Sequence, residues 1–177
     1  MISRSEFAET NSSLRSKNAF PPPDLSSGRA FLVMDRLLDQ ARYGPTYLRQ
    51  PAVAEQVLAS LEYGMQRDDF ELHAWVIMPN HVHLLLTPKV NVSKVLGSLK
   101  AGSAKRANSL LGRAGQPFWQ DESYDHLVRN DKEFRRIEKY IEQNPVTAGL
   151  VANAEDYMWS SAGRPMRPPQ PCGCPTG

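Results

Sequence analysis

The alternation of apolar and polar positions predicts a β-hairpin near the middle of the chain. Residues 70–78 and residues 81–87 are rich in residue types that favour strands, and Pro79-Asn80 forms the turn between them. Residues two apart in a strand face the same side of a sheet. We therefore expect His81 and His83 side by side on one face. The opposite face, which would belong to the core, carries Val82, Leu84 and Leu86.

Apolar residues at helical spacing predict four helices around this hairpin. The first covers residues 30–40, and the second begins at Pro51, a residue type suited to the first turn of a helix. A long helix is predicted over residues 93–111, and a last one over residues 131–144. Pro145 is expected to end that last helix, because proline cannot donate the next backbone hydrogen bond. The stripe predicted for the second helix is Val53, Val57, Leu58, Leu61 and Met65, and that for the long helix is Val95, Leu96, Leu99, Ala107, Leu110 and Leu111.

The segment before the last helix is predicted to form a third strand, over residues 123–129. Asn130 and Glu133 follow with the spacing of a capping box, which indicates that a helix starts there. Within that helix, Tyr140 lies beside the apolar stripe. Asn144 lies one turn further along the same side, because residues four apart are neighbours on a helix. The helix therefore presents a phenol and a carboxamide together.

Length and composition indicate one domain with unstructured ends. The chain has 177 residues, enough for a single domain, which we assign to residues 29–162. Residues 1–28 and the Pro- and Gly-rich residues 163–177 are expected to be disordered, and the only cysteines, Cys172 and Cys174, are expected to be an inert part of that tail. No apolar run reaches the roughly 18 residues of a membrane span, and no secretory leader is recognisable, so a cytoplasmic protein is expected.

The charge distribution is uneven although the net charge is only +2. Residues 72–120 contain no Asp or Glu. Their basic residues are Lys89, Lys94, Lys100, Lys105, Arg106 and Arg113. Such a localised positive field favours a polyanion, most commonly nucleic acid. We therefore predict that Lys94, Lys100, Lys105 and Arg106 bind DNA, with a solvated basic helix face as the alternative.

Paired histidines and a helix that carries Tyr and Asn together suggest phosphoryl chemistry. Two imidazoles on one strand face can share a divalent cation, and the side-chain carbonyl of Asn144 could supply an oxygen ligand. A tyrosine hydroxyl near such a cation could attack a phosphodiester. The alternative is that Tyr140 is an ordinary residue at the edge of the core and that Asn144 only closes the helix.

Three segments of the chain resemble REP-associated tyrosine transposases, relatives of the single-tyrosine transposases of small bacterial insertion sequences. Residues 75–85 (WVIMPNHVHLL) resemble their HUH motif, and residues 140–151 (YIEQNPVTAGLV) resemble their catalytic-tyrosine helix. Residues 118–126 (FWQDESYDH) resemble the segment between the two. The resemblance covers about residues 28–162.

This resemblance implies a fold, an activity and a set of site residues. The implied fold is an α+β, ferredoxin-like sandwich with an antiparallel sheet and helices on one face. The implied activity is metal-dependent cleavage and rejoining of single-stranded or hairpin DNA through a 5′-phosphotyrosine, with Mg or Mn as the divalent cation. His81, His83 and Asn144 would be metal ligands and Tyr140 the nucleophile. No membrane partner is implied, and a monomer and a dimer both remain open.

One departure from the family pattern leads to alternative readings. The family's usual first strand is not recognisable before residue 30, so the sheet is expected to lack it. The chain could therefore be a decayed transposase copy, or a protein that binds DNA hairpins without cutting them. A third reading is a hydrolase that uses a metal-bound water. Such an enzyme normally has more His and Asp ligands, and the presence of only four histidines in the chain argues against it.

Overall fold

The computed structural model describes residues 31–36, 45–119, 124–164 and 166, with only the backbone described for residues 31–36, 124 and 125. The predictions for residues 1–28 and for most of residues 163–177 lie outside this part of the chain. Four strands and three α-helices are present in it: β1 (Phe31–Arg36), α1 (Pro51–Gln66), β2 (Phe70–Met78), β3 (His81–Pro88), α2 (Val92–Leu110), β4 (Tyr124–Leu127) and α3 (Asp131–Thr147).

The four strands form one antiparallel sheet in the order β2-β3-β1-β4. With α1 between β1 and β2, and α2 between β3 and β4, the connectivity is that of a ferredoxin-like β-α-β-β-α-β unit. This confirms the predicted fold class. Among the described residues, no helix is both long and apolar enough to cross a membrane.

The prediction for residues 30–40 is wrong, because residues 31–36 form strand β1 rather than part of a helix. β1 pairs with β3 on one side and with β4 on the other, so the sheet does not lack its first strand as the sequence suggested. A short apolar run such as FLVM fits either periodicity. Pairing on both sides supplies the backbone hydrogen bonds that favour the strand over the helix.

Helices α1 and α2 cover one face of the sheet and form the larger core with it. From the sheet, this core takes Trp75, Ile77, Val82, Leu84 and Leu86. All five residues predicted as the buried stripe of α1 are buried in it, as is Val95 of α2. Leu110, also predicted to point inward, is instead 55% exposed and is the last residue of α2, where fewer neighbouring side chains cover the helix.

Helix α3 covers the opposite face, so the expectation that all helices lie on one face is wrong. It packs Phe134, Ile137 and Ile141 against Ala74, Val76, Met78 and Leu85 of the hairpin. Residues 74–78 of β2 are therefore buried on both faces of the sheet. A β-bulge between Leu72 and Ala74 shifts the alternation of β2 by one residue and sets which side chains face α3.

Helix α3 also runs three residues past its predicted end. It continues through Pro145 to Thr147, and Gly149 follows with a positive φ of 69°. Pro145 is buried, and its ring replaces only one backbone donor of the helix. The next bonds are intact, because the amide of Ala148 donates to the carbonyl of Asn144 at 2.9 Å.

The segment after α3 covers the outer edge of β2. The amide of Ile77 donates to the carbonyl of Trp159 at 2.8 Å, and the amide of Ser161 donates to the carbonyl of Trp75 at 2.9 Å. The Tyr157 hydroxyl adds a bond to the carbonyl of Ile77 at 2.9 Å. This strand edge is thereby closed to other chains.

Candidate active site

His81 and His83 open strand β3 and share the face that α3 covers. Their ring centroids lie 4.8 Å apart. His83 is only 2% exposed, whereas His81 is partly exposed at the mouth of the site. The strand alternation that put them on one face is thus observed, and both imidazoles lie close enough to serve one cation.

Asn80, the second residue of the hairpin turn, orients the first histidine. Its Oδ1 lies 2.8 Å from Nδ1 of His81. With an amide oxygen as the acceptor, we assign the proton to Nδ1, so that Nε2 is the unprotonated nitrogen of the ring, the type that binds a metal. From the sequence, Asn80 is predicted only as a turn residue. The signal that could have identified its second role is an amide side chain next to a candidate metal ligand.

Tyr140 of α3 packs against His83, on the side of the sheet that α3 covers. Its ring centroid is 5.5 Å from that of His83, with the two planes at 75°. The side chain is 53% exposed, so part of it is accessible to an external molecule. Half-buried Asn144 follows one turn later on the same side of α3. The structure therefore brings Tyr140 and the histidines together; their chemical roles and that of Asn144 stay predictions.

The start of α3, which carries Tyr140, is fixed to the sheet by polar contacts around Glu133. Asn130 Oδ1 accepts from the Glu133 amide at 2.9 Å, which confirms the predicted cap. The Glu133 carboxylate accepts from the amide of Arg129 at 2.9 Å and lies 3.0 Å from Nε2 of His126. These hydrogen bonds, first that of Arg129 and then that of His126, lower the pKa of Glu133. The carboxylate thus couples the end of β4 to the first turn of α3.

The fourth histidine that the sequence offers, His73, has a structural position. It lies at the bulge of β2, within hydrogen-bonding distance of the Thr87 hydroxyl at 2.8 Å and edge-on to the Phe134 ring. Burial lowers its pKa, although Glu71 and Glu138 act in the opposite direction. Its contacts with Thr87 and Phe134 support the packing of α3 on the sheet.

The donor set fits a small divalent cation that takes mixed nitrogen and oxygen ligands. Two neutral imidazoles and one carboxamide oxygen leave further positions for phosphate oxygens and water. No group of three or more His, Cys, Asp or Glu side chains with metal-binding spacing occurs among the described residues. A cation held here would therefore depend on Asn144 and on the bound phosphate as well as on the two histidines.

The predicted DNA-binding residues of α2 lie on the other face of the sheet. Lys94 and Lys105 are exposed, and Lys100 is half-buried beside Trp119 and Leu99. The Arg106 guanidinium donates to the carbonyl of Gln56 at 3.1 Å and to the hydroxyl of Ser60, and so ties α2 to α1. The structure does not bring these four residues to the histidine and tyrosine site.

Comparisons with known proteins agree with this geometry. The family model described as "Transposase IS200 like" matches residues 40–144. A REP-associated tyrosine transposase of Escherichia coli (strain K12) is 30% identical over 110 residues, which cover 62% of this chain and 65% of that protein. A putative REP-associated tyrosine transposase of Haemophilus influenzae is 28% identical over 109 residues, which cover 55% of this chain and 62% of that one. The chain thus spans just under two thirds of the length of these curated relatives.

A solved structure is similar as well. A REP-associated tyrosine transposase bound to a REP hairpin superposes with a TM-score of 0.59 at 26% sequence identity, covering 77% of this chain and 78% of that one. The family match includes both histidines, Tyr140 and Asn144, and the resemblance noted in the sequence is confirmed. Because the family model matches more than half of its residues, this chain belongs to the IS200-like transposase family.

Proposed function

We propose that this protein cleaves and rejoins single-stranded DNA at palindromic hairpins through a 5′-phosphotyrosine intermediate. The observation that carries the proposal is the edge-to-face contact of an exposed tyrosine with a buried histidine whose ring also lies against a second histidine on the same strand. The similarity to a transposase bound to a REP hairpin supports a hairpin as substrate. It also supports a DNA-processing enzyme over a hydrolase of small molecules.

In the proposed reaction, Oη of Tyr140 attacks the phosphorus of a phosphodiester. A bond forms between Oη and phosphorus, and the bond between phosphorus and the 3′ oxygen breaks. The phenol proton leaves and the departing 3′ oxygen takes up a proton. The products are a tyrosine joined to the 5′ phosphate and a free 3′ hydroxyl. Because one phosphodiester replaces another, the 3′ hydroxyl of a second strand can attack in reverse and rejoin the DNA.

A divalent cation, Mg or Mn, fits the residues around this tyrosine. His81, His83 and Asn144 would hold it, and when bound it would neutralise charge on the phosphate and stabilise the departing oxygen. Asn80 would keep Nε2 of His81 unprotonated for this purpose. His83 is buried next to the Tyr140 ring, and this packing would hold the pair of ligands in position.

The cations of α2 belong to this proposal in a different role. Lys94, Lys100 and Lys105 lie across the sheet from Tyr140, so we assign to them a general attraction for DNA rather than contacts at the scissile phosphate. Arg106 contributes to the same field while it holds α2 on α1.

The test is a search for a covalent adduct. The protein is incubated with 5′- and 3′-labelled single-stranded DNA hairpins that carry flanking extensions, with Mg or Mn, and resolved on a denaturing gel. The proposal expects label from the 5′-phosphate side of the cut to migrate with the protein and a free 3′ hydroxyl on the other product. The Tyr140→Phe variant removes only the hydroxyl and should bind hairpins normally without forming the adduct.

Other outcomes point to the alternatives. Hairpin binding without adduct or cleavage would indicate a DNA-binding protein or a decayed enzyme. Cleavage that survives in Tyr140→Phe would indicate attack by a metal-bound water or by another tyrosine. Either result would overturn the phosphotyrosine mechanism.

A further inference from the structure

The charged residues of α3 are distributed unevenly around the helix. At about 100° per residue, Lys132, Arg136 and Lys139 fall within about 100° of Tyr140 on the solvent side. Asp131, Glu138 and Glu142 fall about 160–180° away from Tyr140 by the same geometry. Glu133 is the only acid on the tyrosine side. We call Lys132, Arg136 and Lys139 the α3 cationic row.

Members of this row are exposed and weakly engaged. The Arg136 side chain is 77% exposed, and its nearest carboxylate oxygen, on Glu133, is 3.7 Å away, beyond hydrogen-bonding distance. That carboxylate already accepts hydrogen bonds from the Arg129 amide and pairs with His126. Lys132 and Lys139 are exposed, and within the described part of the chain no carboxylate forms an ion pair with either ammonium group. All three cations can therefore be directed to an external anion without breaking a hydrogen bond of the fold.

Arg135 provides an internal contrast on the same helix. Its guanidinium pairs with the Glu138 carboxylate at 3.2 Å and lies over the Phe134 ring at 6.0 Å from the centroid. It falls about 140° from Tyr140. Arg135 therefore pairs with residues of its own helix on the side away from Tyr140, whereas Arg136 lies on the same side as Tyr140.

We propose that the α3 cationic row binds the phosphates next to the scissile one and guides the DNA strand across α3 to Tyr140. Arg136 lies one turn before Tyr140, and the row extends about 10 Å along the helix axis, from the 1.5 Å rise per residue. A row of this length can contact consecutive phosphates of one DNA strand. The positive row on one side and the acids on the other would also fix which side of the helix the strand follows.

This inference rests on the proposed function, because it requires a DNA strand at Tyr140. Its test is therefore a binding measurement in which cleavage cannot occur. The parent protein is Tyr140→Phe in EDTA, titrated against a dye-labelled DNA hairpin with single-stranded extensions on both sides, by fluorescence anisotropy at several NaCl concentrations. The variants on that parent are Arg136→Gln with Lys139→Gln, the charge-preserving Arg136→Lys with Lys139→Arg, and Arg135→Gln as the matched control.

The double glutamine variant should bind about tenfold more weakly at moderate salt and lose about 1.4–1.8 from the slope of log affinity against log salt, two phosphate contacts at about 0.7–0.9 each. The charge-preserving variant should keep most of the affinity, and Arg135→Gln should keep the parent slope. Melting temperatures of all variants establish that the fold is intact. An unchanged slope in the double glutamine variant, or an equal loss in Arg135→Gln, would overturn the proposal. If the wild-type protein forms no adduct but the double glutamine variant still loses salt slope, the proposed cleavage reaction is wrong. The α3 cationic row is then still a DNA-binding surface.

Discussion

The two faces of the sheet carry different kinds of side chains. On the face covered by α1 and α2, the strands contribute large apolar side chains to an extensive core, and the polar groups between the helices are mostly hydrogen-bonded. On the face covered by α3, the apolar contact is smaller and is interrupted at one end by His81, His83 and an exposed tyrosine. The same strand β3 serves both, because alternate residues of a strand face opposite ways.

Under the proposed function, one face of β3 contributes to stability and the other face to chemistry. Burial of apolar area on the α1 and α2 side stabilises the fold. The α3 side can then tolerate two imidazoles at the sheet surface, whose burial would otherwise be costly. Substitutions on the α3 face of β3 should therefore reduce adduct formation with little loss of stability. Substitutions on the opposite face should reduce stability with little loss of adduct formation.

The largest expected effect is on catalysis, from His81→Ala on the α3 face. Residues that only support a metal ligand typically contribute about 10–100-fold, so loss of a direct ligand should reduce adduct formation at least about a hundredfold. Because His81 is partly exposed, the melting temperature should change little. Both quantities are measured on the same preparation, by adduct formation per folded molecule and by circular dichroism. Unchanged cleavage per folded molecule would show that His81 is not a ligand.

The matched substitution on the other face is Leu86→Ala. The Leu86 side chain is fully buried in the core formed with α1 and α2. Its truncation should lower the free energy of unfolding by about 2–5 kcal/mol. Adduct formation per folded molecule should stay near the wild-type value at low temperature. A loss of cleavage as large as that in His81→Ala would show that the two faces are not separable.

A smaller effect is expected for Glu133→Gln, which tests how α3 is fixed at its first turn. The pKa of Glu133 in the folded protein lies below its ordinary value of 4.5, so its ionised form favours folding. This contribution is fully present above the ordinary pKa and is lost as the pH falls through the lower, folded pKa. At neutral pH, Glu133→Gln should lower the melting temperature by about 2–4 °C, the shift that a change of 1 kcal/mol produces in a domain of this size.

The difference between wild type and Glu133→Gln should disappear in strongly acidic solution, where both side chains are neutral. Glu138→Gln, on the opposite side of α3, is the control for a simple change of charge and should melt close to wild type at neutral pH. A difference between wild type and Glu133→Gln that is independent of pH would mean that the carboxylate charge does not hold α3.

The smallest effect is expected for Lys94→Gln with Lys105→Gln on α2. Both side chains are exposed on the face away from Tyr140, and salt screens charges beyond about 8–10 Å at physiological ionic strength. Hairpin affinity in the Tyr140→Phe background should therefore fall by about threefold or less, with a small change in its salt slope. A loss of affinity larger than that of the α3 substitutions would show that the DNA binds on the α1 and α2 face and not on the α3 face.

Local pattern was sufficient for the elements that have strong periodicity or a clear start signal. The hairpin, the buried stripe of α1 and the cap of α3 at Asn130 all followed from residue types and spacing. The placement of Tyr140 beside its stripe also followed from helix geometry. These features depend on residues close together in the chain, and nothing distant competes with them.

Other features were decided by partners far away in sequence. The apolar run of β1 fits a helix or a strand, and its pairing with β3 and β4 made it a strand. Pro145 would end an isolated helix, but in the folded chain it is buried and α3 continues through it to Thr147. The bulge before Ala74 reversed the alternation of β2, which no counting of residues could detect.

For the candidate site, residue spacing was enough to predict which side chains lie together: two histidines on one strand face, and a tyrosine with an asparagine one turn on. Spacing did not predict that α3 covers the histidine face of the sheet, so that Tyr140 meets His83 while the basic helix α2 lies on the other side. The physical reason is that periodicity defines which side of an element is apolar but not which of two apolar faces it will cover. That choice is made by the packing of the whole chain.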